Sequence, residues 1–325
     1  MKILVVGGAG YIGSHMLRRL QKTNYKVEVL DNLSTGYEEN TLGFQFHKCD
    51  LANKDQLNSI LQNNYDLVMH FASYINVGES YLYPQKYYEN NVNNTMNLLN
   101  CMVDQKILNF IFSSSAAVYG DPGPSPISEE ENINPVNPYG QTKAMVENIL
   151  KDYDRAYGLK STCLRYFNAC GAHLDGTIGE SHNPETHLIP LVLQAASGRK
   201  NSITVFGDDY TTKDGTCIRD YIHVMDLAEA HLLALDTLRS KQISNIYNIG
   251  NNIGFSVKEI IETAEEVTQR KIKINIESRR KGDPAQLVAN NKKIKEELNW
   301  TAQYSDLKTI MSSAWQWEQK LLQSN

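Results

Sequence analysis

Lys2-Ile3-Leu4-Val5-Val6-Gly7-Gly8-Ala9-Gly10-Tyr11-Ile12-Gly13-Ser14-His15 is the stretch that decides the fold. Its first five residues form a short, Val/Ile-rich run, which reads as a buried strand. Glycines then interrupt the chain, and from Tyr11 to Leu20 the apolar residues Ile12, Met16, Leu17 and Leu20 return at helical spacing. Glycines 8, 10 and 13 satisfy GxGxxG, and glycines 7, 10 and 13 satisfy GxxGxxG. Between a strand and a helix, such glycines permit a tight turn and close backbone approach, while the helix N-terminus offers N–H groups to a pyrophosphate. Gly7, Gly10 and Gly13 are therefore candidate dinucleotide contacts.

The pattern repeats outward from this turn. A second strand, Val27 to Leu30, ends at Asp31, which lies 18 residues beyond Gly13, close to the spacing of about 20 for a carboxylate on an adenosine ribose. No basic residue occurs from Asp31 to Tyr37, so a 2′-phosphate is disfavoured and NAD is expected rather than NADP. After a third strand, Phe44 to His47, Asp50 either faces the adenine with Leu51 or caps the next helix. Apolar runs at 67–71, 109–113 and 161–166 alternate with helical patterns at Lys54–Gln62, Tyr87–Val103 and Tyr139–Tyr157. This alternation predicts an α/β fold, a Rossmann-like doubly wound parallel sheet covered on both faces.

Near Phe167 the regularity breaks. A helix over Leu188–Ser197, a strand over Ser202–Phe206, a helix over Met225–Leu238, a strand over Asn245–Ile249 and a helix over Ser256–Thr268 follow, the last opened by a Ser256/Glu259 capping box. The expected organisation is a nucleotide-binding domain over 1–168, rejoined by about 223–250, and a smaller mixed α/β lobe within 169–325.

Composition narrows the partners. The 325 residues carry 32 basic and 37 acidic side chains, a formal net charge of −5, so no global basic field attracts a nucleic acid. No apolar run approaches the roughly 18 residues of a membrane span. Five cysteines without a CxxC pair suit neither a disulfide framework nor a thiolate metal site. A cytoplasmic chain with no metal, no nucleic acid and no membrane partner is expected.

Ser113-Ser114-Ser115 ends an apolar strand and so falls at the carboxyl edge of the sheet, where ligands of open α/β folds bind. Downstream, Tyr139 and Lys143 stand at i and i+4, on one helix face. A phenol with a reference pKa near 10 is a poor base at neutral pH, but a nearby ammonium and a positive nicotinamide favour its phenolate. Ser115 is placed to share the proton.

Glycine turn, ribose acid, strand-end serine and YxxxK occur here in the order of one family, together with His70-Phe71-Ala72, Val77-Gly78-Glu79-Ser80, Tyr88-Glu89-Asn90-Asn91-Val92, Val118-Tyr119-Gly120, Arg165-Tyr166-Phe167-Asn168 and Arg219-Asp220-Tyr221-Ile222-His223. The chain resembles the extended short-chain dehydrogenase/reductase family, and within it the UDP-hexose 4-epimerase branch, over nearly its whole length. The resemblance implies NAD contacts from Tyr11, Ile12, Asp31, Asn32, Asp50, Leu51, Phe71, Ala72, Asn90 and Phe167, beside the glycines and Lys143. It implies catalytic roles for Ser115, Tyr139 and Lys143, with Ser115 and Tyr139 also touching the sugar. For a UDP-hexose it points to Asn168, Leu188, Phe206, Arg219, Arg280 and Asp283. The two arginines offer forked donors to a pyrophosphate and Phe206 a flat face to uracil.

Two positions depart from the family pattern: Ile75, where many relatives carry Lys, and His187, where they carry a smaller polar residue. Leu287 stands where some relatives place a pocket-narrowing Tyr, which opens the sugar pocket to an N-acetyl group. The implied reaction is transient oxidation at sugar C4 by tightly held NAD, turnover of the 4-keto sugar and hydride return, in a homodimer paired through the helices at 87–103 and 139–157. Epimerisation of another UDP-sugar, such as a uronic acid, and non-catalytic binding of NAD or a nucleotide sugar are the alternatives.

Overall fold

The computed structural model describes residues 1–123, 126–280 and 283–324. In chain order the elements are β1 Lys2–Val6, α1 Tyr11–Leu20, β2 Lys26–Asp31, β3 Gln45–Lys48, α2 Lys54–Leu61, β4 Leu67–His70, α3 Val77–Leu82, α4 Pro84–Tyr87, α5 Asn94–Asp104, β5 Asn109–Ser115, α6 Pro138–Tyr157 and β6 Lys160–Tyr166. There follow β7 Asn168–Cys170, α7 Leu188–Ser197, β8 Ile203–Phe206, β9 Ile218–His223, α8 Val224–Lys241, β10 Asn245–Ile249, β11 Gly254–Ser256, α9 Val257–Thr268, β12 Ile274–Glu277, β13 Gln286–Leu287, α10 Lys292–Leu298 and α11 Leu307–Ser324.

The chain divides into two compact units, the first made of Met1–Gly120, Glu131–Tyr166 and Ala228–Tyr247. Its basis is a seven-stranded sheet in the order β3-β2-β1-β4-β5-β6-β10, with every pairing from β3 to β6 parallel. Strand order reverses between β1 and β4, the switch point at whose carboxyl ends ligands of doubly wound sheets bind. β1 and β4 are almost wholly buried, as strands covered on both faces must be. Leu4, Val6, Val68, Phe110 and Phe112 of the strands pack with Leu98 and Leu99 of α5 and Val146 and Leu150 of α6. The doubly wound fold read from the periodicity is the observed one.

The expected single helix over Tyr87–Val103 is broken instead. A π-helical turn over Tyr88–Asn93 joins α4 to α5, the form taken when an inserted residue bulges a helix, often beside a functional site. Within it Asn91 is buried. Its amide accepts from Tyr74 N at 2.9 Å and donates to Tyr74 O at 3.0 Å and Thr142 Oγ1 at 3.1 Å. The apolar periodicity is nearly indifferent to one extra residue, so only this polar anchor marks the break.

A buried ion pair ties α6 to the sheet. Arg165 on β6 meets both carboxylate oxygens of Glu147, at 2.9 and 2.6 Å, and Ser114 donates to the same carboxylate at 2.6 Å. Such a pair is costly to break, because removing one member strands a charge away from water.

The second unit comprises Asp121–Glu130, Phe167–Leu227 and Asn248–Asn325, so residues 121–130 cluster with it although they lie inside 1–168. Here β11, β9 and β13 form one sheet, with β7 also on β9, and β12 pairs with β8. Apolar faces of α7, α9 and α11 close a core of Ile189, Val192, Leu193, Ile260, Ile261, Ala264, Ile310 and Met311. The capping box at Ser256 and Glu259 forms as expected. Asp220 organises the unit: its buried carboxylate accepts N–H bonds from Asn251 at 2.6 Å, Asn252 at 3.0 Å and Ala289 at 3.0 Å.

Asp220→Ala would leave those three donors unmatched. At about 1–3 kcal/mol for each buried unsatisfied group, thermal unfolding should move down by well over 5 °C, whereas the same change at exposed Asp208 should leave the midpoint within a degree or two.

Candidate active site

Glycines in the first turn do two different jobs. Gly7 has φ +79°, and a Cβ there would lie 2.4 Å from Ala72 N, so no side chain fits between the ends of β1 and β4. At Gly13 a Cβ would fall 2.2 Å from Gly7 O; only glycine lets α1 start so near the strand. Gly10 differs, since a Cβ there would meet nothing nearer than Gly7 O at 3.4 Å. It precedes the first turn of α1 with an extended backbone, and its missing side chain leaves room for an approaching group. Space beside helix N–H groups suits a pyrophosphate, and the residues present fit a dinucleotide.

Asp31 is not the exposed loop carboxylate that its position would otherwise allow. It is buried at the end of β2 and accepts N–H bonds from Ala9 at 3.0 Å and Leu33 at 2.8 Å. Burial pushes its carboxyl upward, against the lowering effect of those bonds. Asn32 donates to Asp50 at 2.8 Å, and Asp50 also accepts from Ala52 N. Helix α2 is capped by Asn53, whose side chain accepts from Gln56 N; of the two readings of Asp50, the cap is thereby removed. Leu51 is buried in the core beneath, whereas Tyr11, Ile12, Phe71, Ala72 and Asn90 are partly exposed. Phe71 packs on the His231 ring at 5.0 Å, and Asn90 donates to Asn91.

The acid–base residues meet at the carboxyl end of β5. Ser115 is the last residue of that strand, and Tyr139 and Lys143 share one face of α6. Asn137 caps α6 by accepting from Gly140 N at 2.7 Å, with Pro138 in the first turn; both fix where Tyr139 begins. Ser115 is hydrogen-bonded to Tyr139, and Ser115 Oγ accepts from Ala117 N at 3.1 Å. The N–H occupies one of the two lone pairs of Oγ, so the hydroxyl can still exchange a hydrogen bond with the phenol. Lys143 is buried, and its ammonium donates to Ser73 Oγ and Ser113 O, each at 2.7 Å. Burial pulls it down to about 7, with the Glu147 carboxylate one turn on opposing.

The ammonium lies 5.8 Å from the centre of the Tyr139 ring, yet burial pushes the phenol up, and the bond from Ser115 is what opposes the rise. Ser73, Asn91 and Glu147 escaped the reading of the sequence, although Glu147 at i+4 from Lys143 stands on the same helix face and was the recoverable signal.

In the second unit Asn168 on β7 donates to Asp220 O at 2.7 Å. Arg219 on β9 donates to Ile218 O and Pro284 O, each at 2.9 Å, and reaches Asp283 at 3.8 Å. Its partner is thus not the neighbouring Asp220, and it is only partly exposed. Leu287 on β13 pairs with Arg219. Exposed Arg280 lies with its guanidinium 3.9 Å from the centre of the Phe206 ring, so arginine fork and flat aromatic face come together. Leu188 opens α7. Phe167 is buried, its N–H bonded to Ile249 O at 3.1 Å.

A doubly wound sheet with a glycine turn at its switch point, a buried acid at the end of β2 and Ser115 on β5 facing Tyr139 and Lys143 on α6 defines a dinucleotide-dependent enzyme of the Rossmann type. The chain belongs to the NAD dependent epimerase/dehydratase family, whose profile matches residues 3–250. It is 47% identical over 321 residues, 98% of this chain and 96% of the other, to the UDP-glucose 4-epimerase of Halalkalibacterium halodurans. The crystal structure of UDP-glucose 4-epimerase from Brucella ovis in complex with NAD matches with a TM-score of 0.95 at 46% identity, covering 97% of each chain. That of the UDP-Glc/GlcNAc 4-epimerase from Campylobacter jejuni matches with a TM-score of 0.87 at 43% identity, covering 98% of this chain and 99% of that one.

The two classes of glycine should separate on substitution. Gly10→Ala is expected to fold with an unchanged melting temperature and to copurify with much less NAD, measured by absorbance of released cofactor. Gly13→Ala, forced against Gly7 O, should lower the melting temperature itself.

Proposed function

We propose that the protein interconverts UDP-glucose and UDP-galactose by inverting sugar C4, retaining NAD from one turnover to the next. The observation that carries this reading is the Ser115–Tyr139 hydrogen bond beside a buried Lys143 at the carboxyl end of β5. The first unit is the NAD-binding domain, with Gly7, Gly10, Tyr11, Ile12, Gly13, Asp31, Asn32, Asp50, Leu51, Phe71, Ala72, Asn90 and Lys143 as the cofactor contacts, and Phe167 is a further proposed contact. When bound, NAD supplies the acceptor and donor of the C4 hydride. Tyr139 takes the proton of the C4 hydroxyl and later returns it, and Ser115 donates into the phenol oxygen as its charge grows. Lys143, held by Ser73 and Ser113 O, orients cofactor and adds positive charge below the ring.

The second unit is the UDP-sugar lobe. Arg219 and Arg280 clamp the pyrophosphate through their forked donors, Phe206 faces the uracil, and Asn168, Leu188, Asp283 and Leu287 complete the contacts. Dehydration of the sugar would need a further acid and base just after the strand-end serine, where this chain has Ala116-Ala117. Exposed Met96 on α5 and Met145 and Tyr157 on α6 support pairing of two copies through these helices, as a homodimer. Five free thiols suit a reducing cytoplasm.

The test mixes purified protein with UDP-galactose, adds no NAD, and separates the sugars. UDP-glucose should accumulate; bound NAD without any product would remove the plain-hexose reading in favour of a uronic acid sugar or a binding-only role. Tyr139→Phe should keep the fold and the cofactor but lose at least ~100-fold in kcat, the scale of acid–base catalysis.

A second reading extends the substrates to UDP-GlcNAc and UDP-GalNAc. It rests on Leu287, partly buried beside Arg219, where a smaller residue than Tyr leaves space for an acetamido group. Leu287→Tyr should then lower kcat/KM for UDP-GlcNAc by about tenfold or more, a steric cost of ~1.4 kcal/mol or above, and spare UDP-glucose; an equal effect on both sugars would discard it.

A further inference from the structure

Glu180-Ser181-His182-Asn183-Pro184-Glu185-Thr186-His187 leads into α7, and four side chains of this short segment converge. One ligand atom from each of Glu180, His182, Glu185 and His187 lies within 4.8 Å of all the others. His182 Nδ1 is 3.1 Å from Glu180 Oε1 and 3.7 Å from Glu185 Oε1, and His187 Nδ1 closes on the same Glu180 oxygen. The two imidazoles stand nearly perpendicular, at 88° with ring centres 5.3 Å apart. They therefore aim nitrogens at a common point instead of stacking.

The surroundings make this a built group. The Glu180 and Glu185 side chains are only 4% and 5% exposed, and two carboxylates so far from water require cationic partners. Glu180 O accepts from Trp317 Nε1 at 2.8 Å, and Glu185 Oε1 accepts from the N–H groups of Thr186 and His187. Beside the group is a cavity of about 60 Å³ that Glu180, His182 and Glu185 line with Arg199 and Glu318. Arg199 is engaged by Glu318 at 2.6 Å, so the positive charge there is already matched. A metal ion with a bound water needs a space of this kind, and the polar lining suits it.

We propose that Glu180, His182, Glu185 and His187 bind one divalent transition-metal ion of the zinc class, as a structural ion that pins the segment ahead of α7. Two imidazole nitrogens and two carboxylate oxygens match zinc rather than magnesium or calcium, which favour all-oxygen shells. The carboxylates offset the charge of the ion. A tetrahedral centre with bonds of about 2.0–2.1 Å holds its ligand atoms about 3.4 Å apart, and the four atoms here already lie within 4.8 Å of one another. The ion fixes His187 and, through it, the first residue of the helix, Leu188.

Protein treated with EDTA and dialysed is titrated with ZnCl₂ by calorimetry, with thermal unfolding followed in parallel. One zinc per chain with micromolar or tighter affinity and a higher melting temperature is expected, with no response to MgCl₂. Cobalt(II) in place of zinc should give the visible absorption of a tetrahedral centre. His182→Gln and Glu185→Gln should each weaken zinc binding by more than about 100-fold, beyond the range of outer-sphere changes, while their circular dichroism matches the parent. No stoichiometric zinc binding, or binding that survives in both variants, overturns the proposal and leaves the group as an imidazolium–carboxylate cluster that needs no metal.

Discussion

The contact on which the molecule turns is the approach of α1 to the end of β1. Gly13 brings the helix so near that a single added carbon would overlap Gly7 O, and Gly7 in turn sits against the backbone of Ala72 after β4. Both contacts lie at the point where strand order reverses, so the same steric requirement that closes the sheet opens a crevice there. Asp31 joins the arrangement by accepting from Ala9 within the turn. A carboxylate proposed to meet the ribose therefore also holds the turn in shape, so that a substitution there would disturb both.

A second constraint is the burial of Lys143. An ammonium removed from water must be repaid in hydrogen bonds, and it is given Ser73 Oγ and Ser113 O. Those bonds draw α6 onto the carboxyl end of β5, and the Arg165–Glu147 pair one turn further along fastens the same helix to β6. The position of Tyr139 is thus set by a polar framework beneath it more than by its own contacts. Asn91 in the π turn adds a third tie, through Thr142.

Much of this was legible in the residue pattern, for reasons that can be located. Buried parallel strands announce themselves as short Val/Ile runs, and the glycine turn has few other uses in that setting, so the first sheet and its cofactor were readable. Tyr139 and Lys143 were readable because helix geometry makes i and i+4 neighbours without any tertiary knowledge. What escaped depends on distant partners. Ile274-Asn275-Ile276-Glu277 of β12 does alternate and was a recoverable signal, whereas β13 is two residues long and Asn91 acquires its role from Tyr74 and Thr142. The convergence of Glu180, His182, Glu185 and His187 escaped for a related reason: a metal pattern built on cysteine spacing does not notice imidazoles and carboxylates separated by irregular backbone.

The electrostatics of the acid–base group bear on when it works. Spacing alone suggests that Lys143 makes Tyr139 a ready base, but the ammonium spends its short bonds on Ser73 and Ser113, and burial acts on both groups toward their neutral forms. A phenol pushed up by burial gives up its proton less readily, and the bond from Ser115 works the other way. Additional positive charge near the ring would favour the phenolate. Among the described residues, Lys143 is the cation set against the Tyr139 ring. On the reading proposed above, a positively charged cofactor beside the ring would act in the same direction as the Ser115 bond, toward the phenolate.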